Sequence, residues 1–150
     1  MTDIKKDSPE IRKTIEMLYF AYRGFTGVAD EVLVKHDLGR AHHRAIYFVG
    51  RNPNIIFSDL MKTLKITKQS LNRVLSTLIY DEFIEQITDK KDKRKKLLRL
   101  TEKGVALEKK LTNAQAQYLR KVFDDKDELS QFQNILLNMM HSQDKKSLTK

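Results

Sequence analysis

Between Asp89 and Leu97 the chain places Lys90, Lys91, Lys93, Arg94, Lys95 and Lys96, broken only by Asp92. The run lies between FIEQIT and LLRLT, which read as short strands, so the charge falls on the turn of a hairpin. Six like charges repel one another in water, though screening keeps that cost modest at an exposed tip. Beside phosphates the same cations become favourable, because each one releases condensed counterions. An arginine at such a tip also suits a narrow minor groove, where the potential is most negative. Arg94 is the candidate, with Asp92 placed to hold its guanidinium. A charged turn can instead simply guard a sheet edge against aggregation, but six cations exceed that need.

A second constellation precedes it in FSDLMKTLKITKQSLNRVLSTLIYDEFIEQ. Leu60, Leu64 and Ile66 are spaced to pack against Leu71, Val74 and Leu75, which would lock two short helices at a fixed angle. The outward face of the second helix then carries Thr67, Lys68, Gln69, Ser70, Asn72, Arg73 and Ser76, with no carboxylate before Asp81. Gln and Asn can pair with adenine edges and Arg with guanine, while hydroxyls and helix N-terminal amides suit phosphates. On its own this is also what an ordinary solvated helix face looks like. The helix-turn-helix spacing and the adjoining basic hairpin tip the balance toward a major-groove reader.

The elements that must position these groups are legible in the apolar periodicity. Ser8-Pro9-Glu10 opens a long helix whose apolar positions run from Ile11 to Leu33, closed by Asp37-Leu38-Gly39. A second helix covers about 40–50, and Asn52-Pro53-Asn54 is a turn in which Asn54 suits a left-handed conformation. Ser58-Asp59 caps a third helix and Thr67 a fourth. After the hairpin come two more helices, about 102–123 and 126–141, and then a tail, SQDKKSLTK, expected to fray. The fold class is therefore mainly α with a small β-hairpin wing: a winged helix-turn-helix.

Bulk properties agree with a polyanionic partner. The 150-residue chain has a net charge of +9, so nucleic acid is favoured over an anionic membrane. With no cysteine there is no disulfide and no thiol switch. No apolar run approaches the ~20 residues of a membrane span, and MTDIKKDSPE does not read as a signal peptide, so a cytoplasmic location is expected. No Gly-rich phosphate loop, G-x-S-x-G or H-E-x-x-H occurs, and no enzyme activity is expected. Asp124, Asp125, Asp127 and Glu128 read as helix-capping carboxylates. His42 and His43 are successive on a helix, about 100° apart, and cannot face one metal together. No metal and no cofactor are expected.

The hairpin DKKDKRKKLLRLTEKG resembles the wing signature of the MarR family of bacterial transcriptional regulators, through Asp89, Asp92, Arg94, Leu100, Thr101 and Gly104. LMKTLKITKQSLNRVLSTLIYDEFIEQ resembles that family's helix-turn-helix, and HHRAIYFVGRNP with ITKQSL resembles its PetP-like branch. The resemblance spans nearly the whole chain and implies one domain over 1–150. A winged helix-turn-helix at 40–101 would be carried on a helical dimerisation region at 8–37 and 102–142. It implies a homodimeric regulator, a repressor in this reading, with half-sites of a palindromic double-stranded operator about one helical turn apart. It also implies a cleft for a small-molecule effector near the second helix, which His42 or His43 would line. Ile11, Ile15, Leu18, Tyr22, Phe132, Leu136 and Met140 support a dimer independently, being more apolar surface than two terminal helices bury within one small domain. The alternatives are a non-specific architectural nucleic-acid binder and a protein-interaction module on the same scaffold. One departure stands out. Glu82 occupies the usual Gly position after the recognition helix, where a left-handed residue would be strained, so a different helix end is expected.

Overall fold

The computed structural model describes residues 8–148. α1 (Pro9–Leu33) begins at Ser8, whose hydroxyl oxygen accepts the Ile11 N–H at 3.3 Å, with Pro9 in the first turn. Only its C-terminal part enters the core, through Thr26, Ala29 and Leu33. A 3₁₀ turn (Val34–His36) and left-handed Asp37 end the run, and Leu38 folds back to donate to the Leu33 carbonyl. α2 (Arg40–Arg51) buries Ala45, Ile46 and Val49. Arg40 grips the Asp30 carboxylate with two nitrogens, which ties α2 to α1.

α3 (Phe57–Leu64) and α4 (Lys68–Tyr80) form the helix-turn-helix. α3 starts at Phe57, with Ile56 as its N-cap two residues ahead of the expected Ser58, and has no side-chain cap. Its start is set by the strand it leaves. β1 (Ile55–Ile56) was not anticipated from the sequence; two residues are too few to show a strand period. β2 (Ile84–Thr88) and β3 (Lys96–Leu100) form the hairpin, and β1 adds to the far edge of β3, giving the antiparallel order β1-β3-β2. Leu98 faces Gln86 on one side and Ile55 on the other, and is fully buried.

Leu60, Leu71, Val74, Leu75, Leu78, Phe83, Ile84 and Leu98 join α2 residues in a single core, with Leu107 and Leu111 of α5 (Glu102–Arg120) closing it. Truncating a buried leucine such as Leu71 or Leu78 to Ala in a core like this costs about 2–5 kcal/mol. The core therefore fixes the angle of α4 against the body.

The helical region is different in kind. α6 (Lys126–Met139) buries no residue at all. Asp125 caps it, accepting from the backbone of Asp127 and Glu128, so the acidic cluster does serve a helix start. The expected fraying of the tail does not hold over residues 142–148. Ser142–Lys146 form a short helix, α7, while residues 149 and 150 lie outside the described part of the chain. Among the described residues, no helix is long and apolar enough to cross a membrane.

Candidate nucleic-acid interface

α4 is amphipathic in the way a reading helix requires. Leu71, Val74, Leu75 and Leu78 point into the core, which leaves Lys68, Gln69, Ser70, Asn72, Arg73 and Ser76 exposed on the opposite face. Thr67 caps the start: its Oγ1 accepts the Ser70 N–H at 3.2 Å and donates to the Ser70 hydroxyl at 3.0 Å. Both hydroxyls are thus partly committed to shaping the helix N-terminus. The side chains free to contact a ligand there are those of Lys68, Gln69, Asn72 and Arg73.

The end of α4 is held from outside. Glu82 takes a left-handed conformation (φ 61°), so the helix does end in the way that normally favours glycine. The expectation of a different helix end is overturned. Three contacts impose the strained conformation. Phe83 N–H reaches the Leu78 carbonyl at 2.8 Å, the Thr101 hydroxyl donates to the Glu82 carbonyl, and Lys103 Nζ donates to the Asp81 carbonyl at 2.7 Å. Lys103 also sits 4.4 Å from the Phe83 ring centroid. A cation in the first turn of α5 opposes that helix's own dipole; it is placed there for the carbonyl end of α4. That mismatch is the one sequence signal that could have revealed Lys103.

The same junction explains the Thr101 and Gly104 positions of the wing motif. Thr101 caps α5 by accepting the Gly104 N–H at 3.0 Å. A β-carbon on Gly104 would overlap the Phe83 carbonyl oxygen, so only glycine lets α5 close against the helix end.

At the wing tip, both aspartates organise the backbone. Asp89 Oδ1 accepts the Lys91 N–H at 2.9 Å, and Asp92 Oδ1 accepts the Arg94 N–H at 3.0 Å. The Arg94 Nε lies 3.5 Å from the same Asp92 oxygen, and its side chain is 95% exposed. Lys90, Lys91, Lys93, Lys95 and Lys96 are exposed as well. Lys96 is less free than the others, since its Nζ donates to the Thr88 hydroxyl across the hairpin at 2.8 Å. Arg99 and Glu85 pair further down, which stiffens the stem.

The two histidines part company. His42 Nδ1 accepts the Gly39 N–H at 3.0 Å and so serves the start of α2. His43 instead lines a cleft of about 420 Å³ between α1, α2 and α5, with Tyr22, Phe25, Tyr47, Arg44 and Leu119 among its walls. Burial lowers the pKa of both imidazoles; Glu108 and Asp30 oppose that at His43. Among the described residues no group of three or more His, Cys, Asp or Glu side chains could hold a metal.

A model of the MarR family matches residues 36–95, the stretch from the end of the first helical run to the wing. Over 114 residues the chain is 50% identical to the HTH-type transcriptional regulator PetP of Rhodobacter capsulatus, covering 76% of this chain and 69% of that protein. The chain belongs to the MarR family. As a MarR-family protein it is a winged helix-turn-helix regulator and not an enzyme. Solved structures agree on the fold. One is FabT of Streptococcus pneumoniae in complex with DNA (TM-score 0.70, 20% identity, 86% of this chain and 94% of that one). Another is a mutant MarR of E. coli complexed with operator DNA (TM-score 0.68, 21% identity, 88% and 96%).

Proposed function

We propose that this MarR-family protein is a homodimeric repressor that reads a palindromic operator and is released by a small effector. The observation that carries the reading is the pairing of two faces on one rigid core. One is the carboxylate-free outer face of α4, with Lys68, Gln69, Asn72 and Arg73; the other is the cationic tip from Lys90 to Lys96 around Arg94. Side chains that can read base edges lie on a helix sized for the major groove, and the tip supplies phosphate contacts or a minor-groove arginine. The DNA complexes of the relatives FabT and MarR point the same way.

The dimer follows from uncovered apolar surface. Ile15, Leu18 and Tyr22 of α1 are 50–52% exposed, and Phe132 and Leu136 of α6 are 38–39% exposed, while Ile11 and Met140 at the outer ends are half-buried. A stripe of this extent in one chain needs a partner, and a second copy supplies the same stripe by symmetry. The cleft beside His43, lined by Tyr22, Phe25, Tyr47 and Phe48 together with Arg44 and the Arg40–Asp30 pair, suits a small aromatic effector.

Selection of bound fragments from a random duplex pool, at about physiological salt, tests the reading. An enriched inverted repeat with half-sites about one turn apart is the expected result. Binding with no enriched motif would instead favour a non-specific architectural protein.

A further inference from the structure

One ion pair ties the C-terminus to the helix-turn-helix. The Asp144 carboxylate of α7 lies 3.0 Å from the Lys65 ammonium, across 79 residues of sequence. Lys65 ends α3 in a left-handed conformation (φ 51°) and stands two positions before Thr67, the cap of α4. Beyond Asp144 the chain stays close to the same domain: Lys146, Ser147 and Leu148 line a groove of about 460 Å³ with Asp59 and Thr63 of α3 and the turn at Asn54. The end of the described chain therefore runs along α3.

The place matters because of what a helix-turn-helix presents there. The first residues of the second helix meet base edges, so the turn ahead of them lies beside the phosphates that wall the groove. Lys62, Lys65 and Lys68 are all exposed around this turn, and the amide end of α4 itself favours anions. A carboxylate on Lys65 stands in for a phosphate oxygen. We propose that Asp144 is an intramolecular competitor of DNA phosphate at Lys65, an autoinhibitory contact that the duplex must displace. The inference rests on the DNA-binding reading above. The pair is half exposed, so its hold is weak and it sets a threshold rather than a lock. Its effect falls most heavily on non-specific binding, where phosphate contacts supply nearly all the affinity.

The test compares wild type, Asp144→Asn, Lys65→Met and the double variant. Each is titrated by fluorescence anisotropy against a mixed-sequence duplex of about 30 base pairs, over a salt series. Asp144→Asn is isosteric and the side chain is partly exposed, so folding is preserved. It should bind roughly two- to fivefold tighter at low salt, with the gain shrinking as added salt screens the wild-type pair. In the Lys65→Met background the same change should do nothing. Unchanged or weaker binding by Asp144→Asn overturns the proposal, and so does an equal gain when Lys65 is absent. A wild type that fails to bind the duplex even at low salt would overturn the DNA reading and this proposal with it. Normal wild-type binding with no Asp144 effect removes only the competition.

Discussion

The Thr101 hydroxyl donates to the carbonyl of Glu82, so the cap of α5 also fastens the left-handed end of the recognition helix. Strain at Glu82 is held in place by this bond, by Lys103 on the Asp81 carbonyl and by the buried ring of Phe83.

Glu82→Gly should relieve the strain without disturbing those bonds. A non-glycine residue in this region costs about 1–2 kcal/mol, and glycine returns about 0.5–1 kcal/mol through its looser unfolded state. A net gain of up to about 1 kcal/mol is expected, a rise of a few degrees in Tm by calorimetry. A lower Tm would mean that the Glu82 side chain contributes more than its backbone costs.

Arg94→Ala should weaken duplex binding and reduce the salt slope by about 1, because the Arg94 side chain is almost wholly exposed and its backbone N–H, not its guanidinium, makes the turn. The tip should therefore keep its shape. Equal affinity and equal slope, measured by anisotropy, would remove Arg94 from the interface.

Gln69→Ala and Arg73→Ala should relax sequence preference at separate positions of the selected operator, each by roughly 1–3 kcal/mol if the contact is bidentate. Competition between operator and point-mutated operators reads this out. A uniform loss over all sequences would make them phosphate anchors instead.

Leu18→Glu and Leu136→Glu should each shift the protein toward monomer in light scattering, since both leucines are exposed in the single chain, one ahead of the buried part of α1 and the other on α6, which buries no residue. Operator affinity should fall with them. Dimers that survive both substitutions would place the interface elsewhere.

Acid should destabilise the fold through His43. Its folded pKa is depressed, first by burial and further by Arg44, against the pull of Glu108 and Asp30. A histidine depressed in this way favours folding above its ordinary value near 6.5, and that contribution is lost as pH falls through the folded value. Urea melts from about pH 7.5 to about pH 5 should lose stability in that window, and His43→Gln should flatten part of the slope. A slope unchanged in His43→Gln would assign the effect to His42 or to carboxylates.

The sequence by itself determined the elements whose information is local. The stripe Leu71, Val74, Leu75 and Leu78 marked the buried face of α4, because a 3.6-residue period needs only neighbours along one helix. Thr67 announced its start and the lysine run its wing for the same reason. What tertiary structure alone decided depends on groups far apart in the chain. Ile55–Ile56 becomes a strand only because β3 offers an open edge some 40 residues later. His42 and His43 differ in role because successive helix positions point about 100° apart, and only packing says which direction holds the cleft. Glu82 adopts a conformation its own type disfavours because Thr101, Lys103 and Phe83 impose it. Lys65 meets Asp144 across 79 residues, a distance over which no local pattern carries information.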